Sequence, residues 1–262
     1  MQPFFSIIIP CYNSENTIIR TLKSIVDQSF KDYEIIIVDD GSTDNTRKVI
    51  ETYCNKSMIS YQYFFQENQG PSVARNLAVK NSFGKYLAFL DSDDEWYYRK
   101  LEIQSNYILN YSSKFLSCKF TLNNYSTKVD NINYKYYSFN EFLLSNRTST
   151  PCTIIEKELF TSLGGFDESL RYSEDYNLWL KASLSEKLLF LNISLVKLYK
   201  KPYGEGGLSA DLWSMEKGEL YNYSYLYEKK IINFLQYYSI SFFSLCKFTY
   251  RYIISNYKRL VK

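Results

Sequence analysis

The chain has 262 residues, a formal net charge of +3 and no histidine. That length suits one large α/β domain with an appendage, and the small charge gives no ground for nucleic-acid binding. The missing histidine excludes imidazole metal sites and imidazole general bases, so proton transfer falls to carboxylates, Tyr, Lys or Cys.

The amino terminus passes straight into strand-like sequence, without the basic segment and apolar stretch of an export signal. Phe4-Phe5-Ser6-Ile7-Ile8-Ile9-Pro10 reads as a first buried strand that Pro10 stops. Asn13 and Ser14 are suited to cap a helix, in which Ile18, Ile19, Leu22, Ile25 and Val26 fall at helical spacing. Glu34-Ile35-Ile36-Ile37-Val38 is a second buried strand, and Asp39-Asp40-Gly41-Ser42-Thr43-Asp44 is the turn that leads to a helix over 45–53. A third strand over 58–65, a short helix over 72–80 and a fourth strand over 86–90 complete a βαβ series. In such sheets ligands collect beyond the carboxyl ends of the strands, where residues 10–13, 39–42 and 91–94 all lie.

The fourth strand ends in Leu90-Asp91-Ser92-Asp93-Asp94. Three acids within four residues repel one another unless a positive charge sits among them, and a hard divalent cation carrying a phosphorylated ligand, Mn²⁺ or Mg²⁺, meets that need. A solvated acidic turn is the alternative. A dinucleotide-binding domain is disfavoured by the first turn. It would need G-x-G-x-x-G after the first strand, and the chain has Pro10-Cys11-Tyr12-Asn13-Ser14 there.

Four segments in this order, Ile7-Ile8-Ile9-Pro10-Cys11-Tyr12-Asn13, Val38-Asp39-Asp40-Gly41-Ser42-Thr43-Asp44, Asn68-Gln69-Gly70-Pro71-Ser72-Val73-Ala74-Arg75-Asn76 and Phe89-Leu90-Asp91-Ser92-Asp93-Asp94, resemble the motifs of family 2 glycosyltransferases. The resemblance implies an α/β fold of the GT-A, nucleotide-diphospho-sugar transferase type, a Rossmann-like mixed sheet flanked by helices. It also implies a metal-dependent enzyme that usually inverts the anomeric centre. Carried over by motif, it places Tyr12 on the nucleobase with Pro10 and Asn13 shaping that pocket, Asp40 on a base N–H, and Asp39 supporting the loop. Arg75 falls near the nucleotide, and Asp91 and Asp93 at the ribose and metal, with the direct metal ligand left open between Asp93 and Asp94. Each residue also has an ordinary structural role open to it: packing for Tyr12, satisfaction of turn donors for Asp39 and Asp40, and a surface charge for Arg75.

The second half reads as a helix over 96–109, irregular sequence to about 137, a short capped helix at Ser138-Phe139-Asn140-Glu141-Phe142-Leu143-Leu144 and a strand over 151–155. Gly164-Gly165-Phe166-Asp167 ends the next helix, and Ser173-Glu174-Asp175 begins another. Both segments again resemble family motifs, which imply Asp175 as the catalytic base and Glu174 beside the donor. The same three residues also suit a helix cap and its dipole. Relatives often carry a histidine after the following strand. This chain has Tyr199-Lys200-Lys201-Pro202-Tyr203-Gly204-Glu205-Gly206-Gly207 there, which suggests a mobile glycine-rich loop and a lysine, Lys200 or Lys201, that neutralises the departing diphosphate.

The expected division is a catalytic domain over 1–214, with a nucleotide-sugar half over 1–98 and an acceptor half over 99–214, followed by an amphipathic helical extension over 215–262. In that extension Ser244, Lys247, Arg251, Ser255, Lys258 and Lys262 make a polar, basic stripe beside a wide aromatic face. The pattern fits an interfacial helix on an anionic membrane, and equally one packed on the domain or on a second copy in a homodimer. Five cysteines, odd in number and without C-x-x-C spacing, read as reduced thiols. The expected protein is therefore cytoplasmic and peripheral on the inner membrane, and moves a hexose or N-acetylhexosamine from a UDP-sugar to a lipid-linked or surface-glycan acceptor such as an N-glycan, lipooligosaccharide or capsule precursor. A nucleotidyltransferase and a non-catalytic nucleotide-sugar-binding scaffold are the alternatives.

Overall fold

Alternation along the first strand decides how the sheet is covered. In β1 (Phe5–Cys11) Ile7 and Ile9 pack to one side with Ile18, Leu22 and Ile25 of α1 (Ile18–Val26), whereas Ile8 packs to the other with Ala74 and Ala78 of α3 (Pro71–Lys80). Side chains in a strand alternate between faces, so a run of consecutive isoleucines can be wholly buried only if both faces are covered. The computed structural model describes residues 2–123, 125, 132–200 and 211–260, with the side chains of 256–260 excepted.

Among these residues one sheet of nine strands runs in the order β3-β2-β1-β4-β8-β6-β9-β5, with β7 paired to β9. The remaining strands are β2 (Tyr33–Asp39), β3 (Gln62–Phe65), β4 (Tyr86–Phe89), β5 (Glu95–Trp96), β6 (Phe115–Thr121), β7 (Tyr134–Tyr137), β8 (Ile154–Glu156) and β9 (Leu188–Lys197). β1 is parallel to β2 and β4, and β2 to β3. β8 is antiparallel to both β4 and β6, and β6 is parallel to β9. Strands β1, β2, β3, β4, β6 and β9 therefore all point to one edge. Helices α1, α2 (Thr46–Lys56) and α4 (Lys100–Tyr111) contribute to the core on one face, and α3, α5 (Phe139–Leu144), α6 (Lys157–Ser162), α7 (Glu174–Ser185) and α8 (Leu212–Glu228) to that on the other.

Several sequence expectations are corrected. β1 runs through Pro10 to Cys11, because the β4 ladder ends at Ile8 and proline's missing N–H costs nothing beyond it. Asn13 and Ser14 do not cap α1 through their side chains; its N-cap is Thr17, without a side-chain bond. Trp96, expected in a helix, lies in the short strand β5. Its N–H donates to Ser24 Oγ at 3.1 Å and its indole Nε1 to the Pro151 carbonyl at 3.0 Å. The third strand is only Gln62–Phe65, and the strand near 151–155 is Ile154–Glu156, preceded by a 3-10 turn at Thr150–Cys152. Strands β6 and β7 lie where irregular sequence was expected. The capped helix after Ser138 forms as expected, with Ser138 and Glu141 in a reciprocal capping box.

The carboxyl-terminal helices α8 and α9 (Phe234–Leu260) are present. α8 begins three residues before Met215 and seats against the start of α7. Ser173 Oγ donates to the Met215 carbonyl at 3.1 Å, and Asn222 Nδ2 to the Ser173 carbonyl at 3.1 Å. The basic stripe of α9, where its side chains are described, turns inward. Ser244 Oγ donates to Glu219 Oε2 at 3.0 Å, and Arg251 pairs with the fully buried Glu216 at 3.1 Å. The aromatic face points outward, with Phe242 and Tyr250 about 70% exposed. No helix among the described residues is long and apolar enough to cross a membrane, and all five cysteines are free.

Gly218 is the point of closest approach between α8 and the start of α7. A Cβ there would lie 2.5 Å from the Tyr172 carbonyl. Alanine is favoured over glycine in a helix by about 1 kcal/mol, yet Gly218→Ala should destabilise the protein by about 1–3 kcal/mol through overpacking, seen as a lower urea midpoint. A higher midpoint would show that α8 is not seated there.

Candidate active site

The common carboxyl edge of β1, β2 and β4 opens into a cleft of about 580 Å³, within the range of small-molecule sites. Pro10, Tyr12, Asn13, Asp40, Arg75 and Glu174 line it, together with all three acids of the turn after β4. Sequence expectation and cavity therefore coincide for nine of these residues. Asp39 and Asp175 are the two expected site residues that do not line the cleft.

Two loops are knitted together at the end of the cleft that carries Tyr12. Asn13 takes a left-handed conformation (φ 48°), and its Oδ1 accepts from the Thr43 N–H at 2.8 Å while its own N–H donates to Ser42 Oγ at 2.9 Å. Asp39, almost fully buried, accepts from the Ser42 N–H at 2.8 Å and the Tyr63 hydroxyl at 2.7 Å, and so fixes the loop from behind. Asp40 accepts from Gln66 Nε2, Gln69 N–H and Gly70 N–H at 2.7, 2.8 and 2.9 Å. A carboxylate offers about four acceptor positions, of which these bonds fill three, and Asp40 lines the cleft. Tyr12 is 50% exposed, with its ring in the cavity wall.

Arg75 joins the two halves of the site. Its Nη2 lies 2.8 Å from Asp91 Oδ1 and its Nη1 3.0 Å from Glu174 Oε1. Burial alone would weaken the guanidinium's hold on its proton, and the charges of Asp91 and Glu174 outweigh that. Burial pushes the Glu174 carboxyl up while Arg75 pulls it back. α3 can deliver Arg75 here because Gly70 (φ 95°) and Pro71 start the helix sharply.

The acidic turn is held in part by Arg20 and Thr21, which the sequence did not single out. Arg20 Nη2 donates to the Asp93 carbonyl at 2.6 Å, Thr21 Oγ1 to the Asp94 carbonyl at 2.8 Å, and the Ser14 and Ser92 hydroxyls are 2.7 Å apart. Lys200 Nζ lies 2.6 Å from Asp93 Oδ2. Asp94 is buried, and that burial, with the charges of Asp91 and Asp93, pushes its carboxyl up to about 9. Among the described residues no three acidic or cysteine side chains converge on one point. The expected triad of Asp91, Asp93 and Asp94 is thus not a ready-made cage, since Arg75 draws Asp91 away. Lys201 and the glycine-rich loop lie outside the described residues.

Of the acidic pair, Glu174 faces the cleft and Asp175 turns aside. Asp175 Oδ2 accepts from Asn146 Nδ2 at 3.3 Å and Oδ1 from the Tyr176 N–H at 2.6 Å. Burial and the neighbouring Glu174 push Asp175 up to about 7. Ser173, left-handed at φ 56°, makes no side-chain cap. Asn146 and the cleft-lining Arg171 were also missed. Asn146 reaches Asp175 from 29 residues away along the chain, and neither Asn146 nor Arg171 belongs to a motif.

A mixed sheet covered by helices, with a cleft at its parallel carboxyl edge and an acidic turn beneath it, defines an α/β protein of the GT-A kind. The model for glycosyl transferase family 2 matches residues 6–163, and the chain belongs to that family. It is 34% identical over 199 residues to an uncharacterised glycosyltransferase of Rickettsia felis, a match covering 74% of this chain and 32% of the relative. The chain thus spans about a third of that relative's length. It is 30% identical over 194 residues, 73% of this chain and 74% of the relative, to the UDP-Glc:alpha-D-GlcNAc-diphosphoundecaprenol beta-1,3-glucosyltransferase WfgD of Escherichia coli. The structure of S. aureus TarS in complex with UDP-GlcNAc superposes with a TM-score of 0.69 at 26% identity, covering 84% of this chain and 65% of TarS.

Replacing Arg75 by leucine leaves Asp91 and Glu174 facing each other uncompensated. Arg75→Leu should cost about 3 kcal/mol at pH 7 in urea denaturation. The deficit should shrink as pH falls through the carboxylate range, because protonation removes the repulsion.

Proposed function

We propose that the chain is an inverting glycosyltransferase that moves a hexose or N-acetylhexosamine from a UDP-sugar to a lipid-linked or surface-glycan acceptor. One observation carries this reading: a half-exposed tyrosine ring, a carboxylate with one open acceptor position and an acidic turn share a single cleft, with a helix-borne acidic pair joined to it through Arg75. Tyr12 offers a face for the base, and the open position on Asp40 suits the imide N–H of uracil. The UDP-Glc of WfgD and the UDP-GlcNAc bound to TarS support the choice of UDP, and the diphosphoundecaprenol acceptor of WfgD supports a lipid carrier.

Crowded hard oxygen donors, with Asp94 pushed up to about 9, fit a divalent cation, Mn²⁺ or Mg²⁺. Asp93 and Asp94 would hold it, and its remaining ligands would be diphosphate oxygens and water. When bound it would neutralise charge on the leaving diphosphate. Asp175 removes the proton from the acceptor hydroxyl. That oxygen attacks the anomeric carbon as the bond to the diphosphate oxygen breaks, and the configuration inverts. Lys200 gives the released diphosphate a positive neighbour.

The test is UDP release from a panel of UDP-sugars with Mn²⁺ or Mg²⁺. Asp175→Asn should keep UDP binding and lose about 10²–10⁴-fold in kcat. With Asp175 near 7, the base form is present above that pH, so kcat/KM should fall about tenfold per unit below it, and the variant should lack this limb. A nucleotidyltransferase would instead release pyrophosphate from a nucleoside triphosphate, and a scaffold would be indifferent to Asp175→Asn.

We further read 1–214 as the catalytic unit and the outward face of α9 as a membrane contact on the cytoplasmic side. With Lys247 and Arg251 engaged by Glu216 and Glu219, apolar burial rather than the stripe would supply the attraction. The triple variant Phe242→Ser, Tyr250→Ser, Ile253→Ser should stop sedimenting with phosphatidylglycerol-containing vesicles. Loss of a dimer without loss of vesicle binding would assign the face to a second copy.

A further inference from the structure

The ammonium of Lys200 occupies the wall of the cleft 2.6 Å from Asp93 Oδ2, and the chain around it is pinned. Tyr199 donates its hydroxyl to Glu95 Oε2 at 2.7 Å and receives the Arg20 guanidinium on its ring face at 3.4 Å. The same Arg20 holds the Asp93 carbonyl. The residue before Lys200 and the residue it pairs with are thus fixed by one guanidinium. Asp91 is matched by Arg75, which leaves Asp93 to another positive charge.

We propose that Lys200 is a built-in counter-ion that takes a divalent cation's place at Asp93 in the empty cleft and yields it when a nucleoside diphosphate arrives. This rests on the reading of the cleft as a UDP-sugar and cation site. An ammonium and a divalent cation repel each other and cannot share one carboxylate oxygen, so the nucleotide-free chain binds the cation only for the fraction of time that Asp93 is released. A diphosphate offers Lys200 a more highly charged partner. Its arrival frees Asp93, and cation and nucleotide bind with reciprocal, positive coupling. Lys200 is more than half exposed and Asp93 about a quarter exposed. A pair of that exposure is held weakly enough to exchange readily.

The test is a Mn²⁺ titration of the full chain, read from the electron paramagnetic resonance signal of the free ion, first without nucleotide and then with UDP after subtraction of UDP-bound Mn²⁺. Lys200→Gln should tighten nucleotide-free Mn²⁺ binding about fivefold and reduce the enhancement produced by UDP. Lys200→Arg, which keeps the charge, should bind as weakly as the unaltered protein, and Asp93→Asn should weaken binding in both conditions. Equal nucleotide-free affinity for Lys200→Gln and the unaltered chain, with UDP still enhancing Mn²⁺ binding, overturns the proposal and leaves the UDP-sugar reading standing. An unaltered chain that binds neither UDP nor Mn²⁺ overturns both.

Discussion

A single guanidinium holds the two halves of this site in register. Arg75 is carried on α3, but its partners come from the end of β4 and the start of α7, 16 and 99 residues away along the chain. Bringing a charged group so far out of water is costly unless its hydrogen bonds and its charge are answered. Here the charge is answered by two carboxylates, and Nη1 and Nη2 by hydrogen bonds to them, while the buried Nε has no partner among the described residues. The planar fork of arginine makes two directional bonds at once, so it fixes angle as well as distance between the acidic turn and the acidic pair. A lysine would match the charge and leave the angle free. The bridge also divides the labour of Glu174 and Asp175. Glu174 is committed to Arg75, and its negative charge helps to keep the adjacent carboxyl near neutrality.

The first half of the fold was legible because its signals are local. Runs such as Ile35-Ile36-Ile37-Val38 can only be strands buried on both faces, and the polar turns behind them mark the edge where ligands gather. The second half was less legible because its strands borrow their definition from partners. β7 is four largely exposed residues whose pairing with Leu188–Leu191 makes them a strand. β5 has two residues, paired at the far end of β9. The site shows the same division. Most of the motif residues line the cleft, whereas Arg20, Thr21 and Asn146 act through contacts between segments 29 to 73 residues apart, which no local pattern announces.

The carboxyl-terminal helices change meaning once the packing is known. A stripe of Ser244, Lys247 and Arg251 reads in sequence as a wet or lipid-facing surface, because nothing local records that Glu216 and Glu219 lie opposite on α8. Periodicity finds the stripe but leaves open whether it meets a membrane or protein, and the packing turns it inward. α8 in turn is more than an appendage. Through Gly218 and Asn222 it presses on Tyr172 and Ser173, the residues from which the acidic pair projects, so the far end of the chain helps to set the position of the candidate base.

The direction of the strands has a consequence for how such a protein can diversify. Because β8 runs against both of its neighbours, β6 and β9 point the same way as β1 and β4, and the chain leaves them after Thr121 and Lys197 at the rim of the cleft. Those exits are anchored as well, since Tyr125 and Leu198 pack against the core and the Tyr125 hydroxyl donates to the Glu95 carbonyl at 2.7 Å. Variation near that rim is therefore confined to changes that leave these anchors in place.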